Sequence, residues 1–397
     1  MQSGVVVSTD NQPSVPVDNE RPAICFVAPN LGPLLFSDST TAFAGGAEFR
    51  QQILTRELAR RGFDVCVVTT DRGERLGEAP DGIRIIYAQS AAGGWPLIRF
   101  IHPRLTSWWR SLREANADVY FQSTAGFLTL LVACFCRVHR RRFVYSAASD
   151  LDFRPKDIKR LFQRRAGWRD RWMYQLGVRL TDAIVAQHAG QISDCRRWYR
   201  REAVLIPNCY ELSHHKSPKA DGVILWVSNI KRGKRPELFL DLARELPHLR
   251  FRMIGGPSEG SDAPLFDKIR VEASKLHNLE YVGFVPINKI AHHFDDARVF
   301  VNTSDFEGFP NTFLQSWNRR IPTVSFINCH CREGTEPVGI TCTDFDHMTR
   351  VVAELASNDH FWRETGIRAQ RHSINHHSVG SAVDAYTALF TRLTKPA

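Results

Sequence analysis

Short apolar runs alternate with helical stretches along almost the whole chain, and nothing else in the sequence limits the fold as tightly. Ala23–Ala28 (AICFVA), Phe63–Thr70 (FDVCVVTT), Ile83–Tyr87, Val119–Gln122, Phe143–Ala147 and Ala183–Ala186 are four to eight residues long. Runs of that length suit strands buried on both faces of a parallel sheet. Between the first two, Gly45–Gly46 opens a helix in which Ala47, Phe49, Ile53, Leu54 and Leu58 recur at helical spacing, and Gly62 stops it. Pro207–Gly222 (PNCYELSHHKSPKADG) is polar and rich in breakers, which marks a linker. The alternation then restarts, with strands at Ile224–Val227, Phe251–Ile254, Tyr281–Val282 and Val299–Val301 and a helix at Pro236–Leu246.

At 397 residues the chain exceeds one ordinary core. The pattern predicts two doubly wound α/β domains with a cleft between them and ligands at the carboxyl ends of the strands. The expected division is an unstructured polar tail at 1–21, an N-terminal domain at 22–206 and the linker at 207–222. A C-terminal domain at 223–375 and a final helix at 376–397 returning to the first domain complete it. The longest apolar run, Ala125–Cys136, has twelve residues, too few for a membrane span and right for a buried helix. The first twenty residues show no secretory pattern. Nine cysteines occur without any Cys-x-x-Cys, and Cys25, Cys66 and Cys134 sit in apolar segments, so a reducing cytoplasm is expected. Cys329–His330–Cys331 places two thiols together. A single Cys-x-Cys without two further ligands at suitable spacing does not make a zinc site, and no metal is expected. The pairs His214–His215, His292–His293 and His376–His377 read as surface residues.

The formal net charge is +10, and it is unevenly spread. Between Arg137 and Arg171 twelve Lys or Arg face four Asp, and Arg196, Arg197, Arg200 and Arg201 surround Trp198 and Tyr199. With Leu161, Phe162, Trp168 and Trp172 interleaved, this is the composition of a surface that meets an anionic membrane or nucleic acid. No nucleic-acid recognition motif accompanies it, so nucleic acid is not an expected partner.

Val301–Trp317 (VNTSDFEGFPNTFLQSW) carries the most chemistry. A strand ends at Val301, a polar loop holds Glu307 and Gly308, and a helix opens at Pro310–Asn311. Proline suits a first helical turn, and the amides of Asn311, Thr312 and Phe313 with the helix dipole could hold phosphate oxygens. Gln315 follows Glu307 by eight residues, on the same side as the loop.

This segment resembles the retaining glycosyltransferases of family 4, which have the two-Rossmann GT-B fold and a Glu-x7-Glu motif. Glu307 matches the first Glu, and Gln315 stands in place of the second. The resemblance implies that Glu307 lies near the donor sugar and that position 315 holds the ribose hydroxyls, a task glutamine can perform. Gly45–Gly46–Ala47–Glu48 is similar to the family's GGxE loop at the donor diphosphate, and Ile206–Pro207–Asn208 to its IPN junction. Val227–Pro236 (VSNIKRGKRP) resembles its VGRLxxxKG motif: Lys234 matches the phosphate-gripping Lys, while Asn229 replaces the Arg. Lys231 or Arg232 is then left to substitute for that cation. Ile254–Gly255–Gly256 and Val282–Gly283–Phe284 are like the family's strand ends near the nucleotide. The likeness spans about residues 23–390.

The resemblance implies an enzyme that moves a hexose, with retention, from a UDP- or GDP-sugar to a glycan or lipid-linked acceptor in surface polysaccharide or glycoconjugate synthesis. Glu307, Lys234 and Asp150 are the expected catalytic residues. Gly45, Gly46, Asn229, Lys231, Gly283, Phe284, Gly308, Phe309, Asn311, Thr312 and Gln315 are the expected donor contacts. No cofactor beyond the donor, and no obligatory metal, is implied. Asp150–Leu151–Asp152 has the Asp-x-Asp form that binds metal in the other glycosyltransferase fold, GT-A. Here it follows a first-domain strand, and both aspartates are expected to face donor sugar or acceptor. The departures at Asn229 and Gln315 leave a non-catalytic nucleotide-sugar-binding protein as the alternative.

Overall fold

The computed structural model describes residues 21–36, 45–71, 80–89, 100–158, 167–211, 221–257, 262–286 and 289–395. Residues 1–20 of the expected tail, Leu161, Phe162 and His214–His215 lie outside them. The first domain runs β1 (Ile24–Val27), α1 (Gly46–Arg60), β2 (Val65–Thr70), β3 (Arg84–Ala88), α2 (Thr106–Ala115), β4 (Val119–Ser123) and α3 (Phe127–His139). It continues with β5 (Arg142–Ser146), α4 (Gly167–Leu180), β6 (Ala183–Ala186), α5 (Ala189–Tyr199) and β7 (Val204–Leu205). Its strands form one parallel sheet in the order β3-β2-β1-β4-β5-β6-β7. Every residue of β1 and β4 is buried, which is why β1 and Val119–Phe121 of β4 read as apolar runs rather than alternating ones. Gly62 takes φ +80° and ends the first helix, with Phe63 N–H bonded back to Leu58 O at 3.1 Å.

The second domain runs β8 (Val223–Val227), α6 (Pro236–Glu245), β9 (Phe251–Ile254), α7 (Ala263–Ala273), β10 (Leu279–Gly283), α8 (Ala291–Phe294), β11 (Ala297–Asn302) and α9 (Asn311–Trp317). Then come β12 (Thr323–Ser325), β13 (Arg332–Glu333), β14 (Glu336–Pro337), β15 (Ile340–Thr341), α10 (Phe345–Ser357), α11 (Asp359–His376) and α12 (Val379–Thr394). The parallel sheet order is β10-β9-β8-β11-β12-β15, and β13 and β14 form a small antiparallel pair. In both sheets the first strand pairs with the second on one side and with a later strand on the other, so each has a topological switch point beside its first strand. The chain returns at its end: Ala382, Val383, Tyr386, Leu389 and Phe390 of α12 pack in one buried cluster with Ile24 and Phe26 of β1.

Two features differ from the sequence reading. The buried side of α1 carries Arg50, Gln51 and Thr55 beside Leu54 and Leu58, while Ala47, Phe49 and Ile53 are only half-buried. Ala47 and Phe49 at its start line the interdomain cleft, while Arg50 reaches Asn208, Ser123 and Ala147, and Gln51 and Thr55 bond to carbonyls of their own helix. His377 is buried rather than on the surface, because it sits at the turn between α11 and α12 where the two domains meet.

Candidate active site in the interdomain cleft

The carboxyl ends of β8, β9 and β11 and the amino end of α1 close on a cleft of about 380 Å³. Most of the expected site residues line it: Gly45, Gly46, Asn229, Lys231, Lys234, Phe284, Glu307, Gly308, Phe309, Asn311, Thr312 and Gln315. Gly283 and Asp150 do not. Gly283 instead takes φ +83° and accepts a hydrogen bond from Gly255 N–H at 2.9 Å, shaping the β10 end that carries Phe284.

At the centre, Lys234 Nζ donates to Glu307 Oε1. Both side chains are largely shielded, and Ser304 Oγ donates to the same carboxylate oxygen at 2.7 Å. The backbone beneath is fixed as well. Thr303 Oγ1 donates to Lys234 O at 2.6 Å, Trp226 Nε1 donates to Thr303 Oγ1 at 3.0 Å, and Asp305 N–H donates to Gly233 O at 2.9 Å. The loop after β8 is thus sewn to the loop after β11, which holds a cation and an anion side by side in a polar hollow. Gln315, only 4% exposed, lines the cleft, and its buried Oε1 has no hydrogen-bond partner among the described residues. An unpaired buried acceptor is costly unless a ligand donates to it.

The loop 307–311 is also held from the first domain. Asp150 N–H donates to Glu307 O at 2.8 Å, and Phe309 N–H donates to Gln187 Oε1 at 2.7 Å. Asn208 Nδ2 donates to Phe309 O at 2.8 Å and to Asn311 Oδ1 at 3.1 Å. Asn311 Nδ2 in turn donates to Gly46 O at 2.7 Å. The buried guanidinium of Arg50 binds Asn208 Oδ1 at 3.1 Å, Ser123 Oγ at 2.8 Å and Ala147 O at 3.3 Å. Gly308 allows this approach: a Cβ there would lie 2.4 Å from Ala148 O. Arg50 and Gln187 escaped the sequence reading, since nothing local distinguishes a cleft-facing Arg or Gln from a solvated one.

Three expectations are corrected. Asp152 does not face a sugar. It is 1% exposed, and its Oδ2 accepts from Ala148 N–H at 2.7 Å, Ser149 N–H at 3.2 Å and Tyr145 Oη at 3.0 Å. Burial pushes its carboxyl up to about 6, against the pull of those hydrogen bonds. Asp150 stands beside the cleft with its carboxylate engaged, accepting from His188 Nε2 at 2.8 Å and Gln191 Nε2 at 3.0 Å. The Phe313 amide donates to Pro310 O at 3.0 Å, so it is not free for phosphate. The basic face is also less bare than its charge suggests. Arg141 pairs with Asp118, Arg154 with Asp194 and Arg196 with Glu202 at 2.6–2.8 Å, and Trp198 is half-buried. Trp168 and Trp172, by contrast, are 72% and 57% exposed.

Solved structures share this fold. The sucrose-phosphate synthase of Thermosynechococcus elongatus aligns with a TM-score of 0.75 at 15% identity, covering 94% of this chain and 99% of that one. HepE of Anabaena, solved with UDP and glucose, aligns at 0.72 and 13% identity, over 93% and 99%. The lipopolysaccharide outer core galactosyltransferase WaaB aligns at 0.60 and 15%, again over 93% and 99%. No curated protein sequence matches the chain. Two parallel Rossmann-like domains closing on such a cleft define a GT-B enzyme. The chain belongs to the glycosyltransferases of that class: residues 44–214 match the family model described as Glycosyltransferase Family 4, and residues 221–358 that of Glycosyl transferases group 1.

Proposed function

We propose that the enzyme transfers a hexose, with retention of configuration, from a UDP- or GDP-sugar bound at Lys234, Glu307 and Gln315. The observation that carries this reading is the Lys234–Glu307 pair in the cleft wall. Departure of the nucleotide diphosphate builds negative charge on the bridging oxygen, and a fixed ammonium there stabilises it where it develops. Glu307 stands at the donor sugar, and the orphaned Gln315 Oε1 accepts a ribose hydroxyl. Attack on the face that the leaving group vacates lets the departing phosphate take the acceptor's proton. Asp150 is then not needed as a base, in keeping with its engagement by His188 and Gln191. Its amide bond to Glu307 O makes it a positioning residue instead. HepE structures with UDP and with UDP-glucose support uridine as the base.

The acceptor is a glycan or lipid-linked sugar in surface polysaccharide synthesis, met at the cytoplasmic face of the membrane. Exposed Trp168 and Trp172 on the basic first domain support that placement. Among the described residues no helix is long and apolar enough to cross a membrane. The test is nucleotide release from a panel of UDP- and GDP-sugars, followed by NMR of the product's anomeric proton. Release with retained configuration is expected. Inversion refutes the mechanism, and no release from any donor in the presence of lipid-linked and soluble acceptors refutes the substrate class.

A further inference from the structure

The sequence lacks two ligands near Cys329–His330–Cys331, but the fold brings them from elsewhere. His372 in α11 and His377 at the α11–α12 turn both lie against Cys331, and the ligating atoms of the three residues fall within 4.8 Å of one another. Both histidines are at least nine-tenths buried. None of the three lines the donor cleft.

Each imidazole has a polar oxygen beside Nδ1, which leaves Nε2 as the nitrogen for a metal. His377 Nδ1 lies 2.6 Å from Asn208 O. A carbonyl can only accept, so the proton is on Nδ1 and Nε2 keeps its lone pair. His372 Nδ1 lies 3.4 Å from Glu333 Oε2, a carboxylate able to accept from that nitrogen. Histidines that bind metal through one nitrogen almost always donate from the other to a carbonyl or carboxylate. Cys331 Sγ donates to Cys329 O at 3.4 Å, so the two cysteines lie together in one turn and Cys329 supplies a second buried sulfur nearby. His372 and His377 are separated by four residues, within the usual spacing of histidine pairs in zinc sites.

We infer that Cys331, His372 and His377 form a structural zinc site, with Cys329, which lies outside their 4.8 Å group, turning in as the fourth ligand when the ion binds. Mixed thiolate and imidazole donors select Zn²⁺ over the hard cations that prefer oxygen. As each Zn–S bond forms, the thiol proton leaves to solvent and no electron is transferred. Two thiolates and two neutral imidazoles then balance the ion's charge, so a buried site carries no net charge. The ion would tie the loop after β12 to the domain junction, where Tyr210 N–H also donates to His377 O at 3.0 Å.

The test uses the full chain without a polyhistidine tag, purified in reductant and without chelator. Elemental analysis should find about one zinc per chain, and metal-stripped protein given Co²⁺ should show a thiolate-to-cobalt charge-transfer band. Cys331→Ser should remove much of that band and weaken Zn²⁺ binding by at least about 100-fold in competition with a chromophoric chelator, since even outer-shell losses cost 10–100-fold. His372→Ala should do the same, whereas His376→Ala should bind as the native protein does. If Cys331→Ser does not fold, the native cobalt spectrum alone decides: without the thiolate band the site does not exist. Binding that survives Cys331→Ser but is lost in His376→Ala or Glu333→Gln would also overturn the assignment, placing metal on the neighbouring Glu333–His372–His376 group.

Discussion

Replacing Lys234 by alanine separates catalysis from scaffolding in this cleft. In the native protein Glu307 Oε1 accepts from Lys234 Nζ and from Ser304 Oγ, so the variant leaves the carboxylate one donor rather than none. Exposed ion pairs are worth up to about 1 kcal/mol, and breaking fully buried ones costs about 3–5 kcal/mol. This pair is partly shielded and keeps its serine, so the stability cost should be about 1–2 kcal/mol. That is a melting temperature lowered by a few degrees in a chain of this size. The effect on rate should be larger. A lost donor at a developing oxyanion costs about 10²–10³ in kcat, or roughly 3–4 kcal/mol. Steady-state nucleotide release gives kcat and donor KM, and a thermal-shift titration with UDP and GDP gives nucleotide binding. The decisive comparison is a double-mutant cycle with Glu307→Gln. If the two side chains act as one unit, the double variant should be about as slow as the slower single variant rather than slower by the product. A Lys234→Ala enzyme within about threefold of native kcat, with its fold intact, would show that the leaving phosphate is held elsewhere, at Lys231 or Arg232.

Gln315→Glu should keep transfer activity, because a carboxylate accepts from a ribose diol as an amide oxygen does. Gln315→Leu should raise the donor KM by about tenfold, the worth of one hydrogen bond to a buried acceptor, and an unchanged KM would remove Gln315 from the nucleotide. Asp152 has its carboxyl raised by burial from 3.8 to about 6, so the native state holds its proton more tightly than the unfolded chain does. Its contribution is fully present below about pH 4 and lost as pH rises past 6, about 3 kcal/mol in all. Denaturant titrations of native and Asp152→Asn protein should therefore differ by a gap that shifts by about that amount between pH 4 and 7.5, and a constant gap would contradict it. Trp168→Ala with Trp172→Ala should weaken co-sedimentation with anionic vesicles, while neutral vesicles leave both proteins in the supernatant. Equal recovery of the native protein from both vesicle types at low salt would refute membrane docking.

The sequence was most legible where burial is total. β1, β4 and β11 are buried throughout, so each carries a run of consecutive apolar residues such as Ile24–Val27, Val119–Phe121 and Val299–Val301. The missed strands β7, β12 and β15 have only two or three residues, mixed in character and too short for periodicity to register. The site divided differently. Lys234 and Glu307 stand 73 residues apart and meet because β8 and β11 are neighbours in the sheet, so only motif order pointed to both. Asp150 and Asp152 look alike as letters. Their roles separate because the 3-10 turn Asp150–Phe153 sends one carboxylate inward to cap its own loop and the other toward His188.

The loop 307–311 explains why so many polar groups here are buried without being lost to stability. Each would be costly alone, yet almost all are satisfied by a partner on the first domain or the linker after it: Phe309 N–H by Gln187, Phe309 O by Asn208, Asn311 by Gly46, Glu307 O by Asp150. The loop therefore takes these hydrogen bonds from outside its own domain, and its geometry is complete only when the domains are together. Arg50 anchors that arrangement by holding Asn208, Ser123 and Ala147 at once while touching neither Lys234 nor Glu307. A buried guanidinium with three acceptors cannot be exchanged for lysine, whose single ammonium cannot span them. The precision of the Lys234–Glu307 pair thus rests on a residue in the other domain, carried by the helix that the glycine loop opens.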